Sequence, residues 1–145
     1  MVAIPSIYAA TLVLMPYIFA EAKAVGIDPL KLAAVVHTES RGQAGVIRRE
    51  TNGSCSVGLG GINVPDCDQV AVDHLLQAQA NLRAAAVILK RGEEWCHARP
   101  AWAVCRRGGP IAMYNPGDRA YPARVRATMK AIGRVLKATK KARSS

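Results

Sequence analysis

Between two stretches of helical apolar spacing lies a run that does not support a helix. Residues 41–65 hold six glycines, at positions 42, 45, 53, 58, 60 and 61. Glycine disfavours helix interiors and permits backbone that other residues avoid. Asn52-Gly53 is a tight-turn pair of the hairpin type. Short β-like pieces are expected at 45–47 and 56–59. The chain is therefore expected to build a small β lobe inserted between helices.

The flanks are helical. Asp28-Pro29 reads as a helix start, with Asp as the cap and Pro in the first turn. Leu30, Ala33, Ala34 and His37 follow at helical spacing, so this helix is expected to run to about Ser40. A preceding helix is expected over about 6–25, ended by Gly26 and kinked at Pro16. After the glycine run, residues 68–90 place Val72, Leu75, Leu82, Ala85, Ala86 and Leu89 on one stripe, with Gly92 as the stop. Residues 95–109 read as a loop or short helix, with one turn expected at 101–104, and 111–114 as a short apolar piece before the turn Asn115-Pro116-Gly117. A last helix from Pro122 buries Val125, Met129, Ile132 and Leu136. Residues 137–145 are expected to form a frayed basic tail. The predicted fold is mainly α, of the α+β kind: one domain over 1–145, a helical body with a β-hairpin lobe flanking a groove.

Residues 2–20 carry no charge. That length raises the question of a membrane span or secretion segment. Pro5 and Pro16 interrupt it and no basic residue precedes it, so a buried first helix is the preferred reading, with a weak membrane-tethering segment as the alternative. The formal net charge is +10, which predicts an anionic partner or surface. Lys130, Arg134, Lys137, Lys140, Lys141 and Arg143 concentrate it near the end. No helix-turn-helix, RNA-recognition or zinc-finger pattern accompanies the charge, so nucleic acid is not expected as a partner.

Cys55, Cys67, Cys96 and Cys105 allow two disulfides in three pairings. Local pairing, 55 with 67 and 96 with 105, is preferred because each closes one loop between helices. Disulfides place the protein in an oxidising setting, the periplasm or outside the cell. No C-x-x-C spacing supports zinc, and no metal or cofactor is expected.

Glycoside cleavage needs a proton donor at the leaving oxygen. An acid at the end of an apolar helix, where the helix meets a cleft, suits that task. Glu39 follows Ala33-Ala34-Val35-Val36 and stands there. The segments His37-Thr38-Glu39-Ser40, Gly58-Leu59-Gly60-Gly61-Ile62-Asn63, Asn81-Leu82 and Ala112-Met113-Tyr114-Asn115-Pro116-Gly117 follow in order. In this the chain resembles the lysozyme-like lytic transglycosylases, small phage or secretion-system enzymes related to goose-type lysozyme. The resemblance spans about Ile18 to Ile132.

It implies roles residue by residue. Glu39 is the acid, then the base. Ser40 holds Glu39 or the sugar's N-acetyl group. Gly58, Leu59, Gly61, Ile62 and Asn63 form the cleft floor and wall. Tyr114 orients acid or substrate, Asn115 sets the turn, and Tyr121 is a candidate for stacking on a sugar. The family's Met-Gln is Gly60-Gly61 here, which puts details of sugar recognition in doubt. Asn52 and Asn63 stand where goose-type relatives carry Asp, so the 6-hydroxyl of muramic acid, rather than activated water, is the expected attacking group. Glu50 is the possible second carboxylate for a muramidase alternative, with Arg48 and Arg49 expected to neutralise it. The implied substrate is the glycan strand of peptidoglycan, met by a monomer at an anionic wall, as an endolysin, virion enzyme or secretion accessory. A non-catalytic wall-binding module and a basic nucleic-acid or membrane binder are the competing classes.

Overall fold

The computed structural model describes residues 6–145, so residues 2–5 of the uncharged N-terminal stretch lie outside the described part. The architecture is mainly helical with one small antiparallel sheet. After a 3-10 turn at Ser6–Tyr8 come α1 (Ala9–Val13), α2 (Met15–Val25) and α3 (Pro29–Ser40). Strands β1 (Ile47–Arg49), β2 (Cys55–Val57) and β3 (Ile62–Val64) follow. Then come α4 (Gln69–Leu75), α5 (Ala78–Ala98), α6 (Ala103–Gly108), a 3-10 turn at Pro110–Met113 and α7 (Tyr121–Ser144).

The expected first helix is two helices. Pro16 lies in the first turn of α2, where its missing N–H costs nothing, and α1 has already closed at Val13. Gly26 ends α2 in the left-handed conformation, at φ +75°. The Asp28 carboxylate accepts from the Leu30 N–H at 2.9 Å and caps α3. Leu32 through His37 are all buried, so α3 runs through the middle of the body. At its end His37 accepts from or donates to Thr11 Oγ1 and meets the Arg41 guanidinium, both at 3.2 Å. Burial, then the Arg41 charge, hold the His37 pKa below that of a free histidine.

The lobe has three strands rather than a single hairpin. The register pairs Ile47 with Val57 and Val57 with Ile62. The Asn52-Gly53 turn lies where expected, with Gly53 at φ +87°. Cys55–Cys67 and Cys96–Cys105 are disulfides, as the local pairing predicts. The first fastens the lobe to the turn before α4; the second ties the end of α5 to α6.

Three boundaries differ from the sequence reading. The expected helix over 68–90 is broken after Leu75 and restarts at Ala78. Gly92 does not stop α5, which continues to Ala98. A Cβ there would lie 3.1 Å from the Pro110 carbonyl oxygen and 3.2 Å from Met113 Cβ, so this glycine permits close packing of the following turn. The expected frayed tail is helix to Ser144. Its Ala, Lys and Arg are strong helix formers, and Leu136 packs against the core.

Asn81 explains the break before α5. It is fully buried. Its amide donates to the carbonyls of Val57 and Leu75, each at 2.8 Å, and its Oδ1 accepts from the Gly60 N–H at 2.7 Å. One side chain thereby satisfies the end of β2, the end of α4 and the glycine segment. Asn81→Leu strands three buried backbone groups, each worth about 1–3 kcal/mol. The expected loss is roughly 3 kcal/mol or more, read as a lowered urea midpoint; a shift under about 1 kcal/mol would contradict this account.

Candidate functional site

The helical body and the β lobe meet at a polar groove of about 400 Å³. Glu39, Gly61, Tyr114 and Asn115 line one part of it, and Arg48, Glu50, Asn52 and Asn63 another. Larger and more apolar depressions exist elsewhere, but this is the one that holds two carboxylates beside neutral amides and hydroxyls.

Glu39 sits in the last turn of α3, and its side chain is only 10% exposed. Nothing in the helix itself dictates this burial. It follows from Gly61, which at φ +59° brings bare backbone against the carboxylate. A Cβ on Gly61 would stand 2.5 Å from Glu39 Oε2. A Cβ on Gly60 would stand 2.8 Å from both Ala85 Cβ and Tyr114 Oη. Glycine at 60 and 61 therefore has a steric cause in this fold: side chains there would occupy the space of Tyr114 and Glu39.

Tyr114 donates its hydroxyl hydrogen to the Gly60 carbonyl at 2.6 Å. Burial, then the negative charge of Glu39, push its pKa far above that of a free tyrosine, so it stays protonated and a donor. Asn115 opens the turn that brings Tyr114 to the groove, its carbonyl accepting from the Asp118 N–H at 3.2 Å.

Arg48 is placed differently from the sequence reading. Its guanidinium donates to Glu39 Oε2 at 3.1 Å rather than neutralising Glu50. β1 is the edge strand, and residues 48 and 50 alternate to the same side of the chain. Glu50 lines the groove and accepts from Ser56 Oγ at 2.7 Å. Sequence spacing alone carried no signal for the 39–48 pair, because the two residues belong to different elements.

Several expected contact residues turn out to be supports. Ser40 is buried and donates toward the carbonyls of Val36 and Leu59, at 3.0 and 2.8 Å. It ties the end of α3 to the glycine segment and does not reach the groove. Leu59 and Ile62 point into the core, and Gly58 packs on Asn81, so of the expected floor only Gly61 and Asn63 face the groove. Tyr121 is 1% exposed and stacks on Tyr114, with ring centroids 6.2 Å apart, so it is not free to stack on a sugar. Its hydroxyl feels the Glu39 charge yet makes no hydrogen bond of ordinary length; burial above all pushes its pKa up.

The sequence reading named Asn52 and Asn63 but missed Ser54, which joins them into a polar rail on the lobe wall. Asn63 Nδ2 donates to Ser54 Oγ at 2.8 Å, and Ser54 Oγ donates to Asn52 Oδ1 at 2.7 Å. Asn52 also accepts from the Ser54 N–H, an Asx turn that shapes the tip. Such a row of neutral donors and acceptors suits hydroxyls and amides of a ligand. Among the described residues, no group of three or more His, Cys, Asp or Glu is arranged to hold a metal ion.

Gly61→Ala tests the close approach. A non-glycine residue at positive φ costs about 1–2 kcal/mol, and here Glu39 must also move. Gly45→Ala is the control, since a Cβ there meets nothing within 4 Å. Urea unfolding is expected to show a loss of about 1–2 kcal/mol or more for Gly61→Ala and under about 0.5 kcal/mol for Gly45→Ala. Comparison of the chain with protein-family models, with curated proteins and with solved structures finds no match.

Proposed function

We propose that this protein is a peptidoglycan lytic transglycosylase that cleaves the bond between N-acetylmuramic acid and N-acetylglucosamine, with Glu39 as the acid and then the base. The observation that carries the reading is the setting of Glu39: a mostly covered carboxylate at the end of a buried helix, opening on a polar groove beside Tyr114 and Gly61. The ordered motifs that resemble lysozyme-like transglycosylases support it. So do the disulfides, which suit a wall-facing compartment.

The chemistry needs one carboxyl group. Glu39 gives its proton to the bridging oxygen as the bond from that oxygen to the muramic C1 breaks. The acetamido carbonyl oxygen of the same sugar bonds to C1 and holds the positive charge. Glu39, now a carboxylate, takes the proton of the 6-hydroxyl as O6 attacks C1 and the acetamido oxygen leaves. The products are a 1,6-anhydro end and a free 4-hydroxyl, with no water consumed. Glu39 must enter this sequence protonated and reachable, so Arg48 has to swing away when a glycan is seated.

One observation favours a second reading. Glu50 lines the same groove, so a muramidase that uses it to direct water is the alternative. Asn52 and Asn63 carry no charge and are engaged with Ser54, so neither replaces it as a base.

Digestion of purified peptidoglycan followed by mass spectrometry of the fragments separates these readings. Anhydro-muropeptides are expected, with activity reduced about 10³-fold or more in Glu39→Gln and within about threefold of native in Glu50→Gln. Reducing ends together with an inactive Glu50→Gln would establish the hydrolytic route. Absence of any fragments from the native protein would overturn both.

A further inference from the structure

The outward side of a helix at a protein surface normally carries charged and polar residues. The α1–α2 segment does not. From Ile7 to Ala20 the sequence holds no charged residue, yet large apolar side chains there face outward: Ile7 is 52% exposed, Val13 76%, Tyr17 58% and Phe19 51%. Ala9, Ala10, Pro16 and Ala20 are exposed among them. These four large residues make up half of the exposed large hydrophobics of the described chain, gathered within thirteen residues.

The neighbour of this face is the cationic end of α7. A groove of about 400 Å³ runs between them, with Leu12, Met15 and Pro16 on one side and Leu136, Lys140 and Arg143 on the other. From Arg119 to Ser145 there are nine Lys and Arg residues and no Asp or Glu. Lys137, Lys140, Lys141 and Arg143 are all exposed. Apolar and aromatic side chains rimmed by flexible cations match a surface of anionic headgroups over acyl chains. A second copy is a poor occupant, because each copy carries a net charge of +10 and the cationic ends would face each other. Among the described residues no helix is long and apolar enough to cross a membrane.

We propose that the outer side of α1–α2, together with the basic end of α7, docks this protein on an anionic lipid bilayer. The docking face is built from residues other than those of the groove around Glu39 and stands whether or not the proposed cleavage does.

Co-sedimentation of the full chain with vesicles tests it. Binding is expected to vesicles of phosphatidylcholine and phosphatidylglycerol at 7:3, at least tenfold tighter than to pure phosphatidylcholine. Two surface variants are read in the same assay: Val13→Ser/Tyr17→Ser/Phe19→Ser, and Lys137→Gln/Lys140→Gln/Lys141→Gln/Arg143→Gln. Each is expected to weaken binding at least tenfold, while Arg91→Gln/Arg99→Gln/Arg106→Gln/Arg107→Gln, on α5, at its C-cap and on α6, changes it less than threefold. No preference for the anionic vesicles would overturn the proposal. So would full binding by the triple serine variant, or equal losses from the two charge variants, either of which would mean attraction by net charge alone. Self-association abolished by the triple serine variant, without vesicle binding, would assign the face to a second copy instead.

Discussion

A single buried carboxamide holds the two halves of this structure in register. Asn81 lies where α5 begins, and its three hydrogen bonds reach β2, α4 and the glycine segment. Left without these partners, the carbonyls of Val57 and Leu75 and the N–H of Gly60 would face apolar surroundings, at a cost comparable to the net stability a small domain has to spare. Two other side chains act on the same short stretch. Ser40 holds the Leu59 carbonyl and Tyr114 holds the Gly60 carbonyl. Residues 57–60 are thus pinned by α3, by α5 and by the turn before α7. Because Glu39 leads directly into Ser40, pinning the segment also determines what stands beside the carboxylate.

The glycines at 60 and 61 gain their meaning from that pinning. A loop free to shift could accommodate side chains at these positions. One held at three points cannot, since a Cβ at 60 meets Ala85 and Tyr114 and a Cβ at 61 meets Glu39. The side-chain polar contacts of the groove then lie on the opposite wall, where Asn63, Ser54 and Asn52 form a connected polar row. The disulfide Cys55–Cys67 braces the strand that carries that wall. Lobe and body contribute different things: the body supplies a covered carboxylate and a tyrosine that keeps its proton, the lobe supplies neutral polar contacts, one cation and the second carboxylate, Glu50.

Features governed by local backbone chemistry were legible in the sequence. The Asp28 cap, the Pro16 interruption, the Gly26 stop, the Asn52-Gly53 turn and the two short-range disulfides all depend on residues close in the chain. So was the position of Glu39 at the end of an apolar helix. What was not legible depends on residues brought together from afar. Gly92 looked like a helix stop because its real constraint, the carbonyl of Pro110, lies across a packing contact. Tyr121 looked like a surface aromatic, yet it sits under Tyr114 with almost no exposure. Ser40 had the right chemistry to meet a ligand, but the nearer Leu59 carbonyl accepts its hydrogen bond. The third strand went unseen because Ile62–Val64 directly follows the glycine segment and was read with it as cleft floor. The tail was read from its charge alone, although its composition of Ala, Lys and Arg with an apolar Leu136 also fits a continuing helix.

The Arg48–Glu39 pair links these observations to the proposed reaction. Arg48 is 51% exposed and lies on an edge strand, so its guanidinium can move into water at little cost, whereas Glu39 is only 10% exposed and lies against the Gly61 backbone. A salt bridge with one mobile and one fixed partner opens from the mobile side. Glu50, two residues along and on the same side of the chain, is the carboxylate nearest in sequence to receive the freed guanidinium. In the proposed cleavage that exchange uncovers the acid at the moment a sugar arrives and leaves Glu50 neutralised, which disfavours its use as a base for water. The same movement would therefore serve both to admit substrate and to select the non-hydrolytic route.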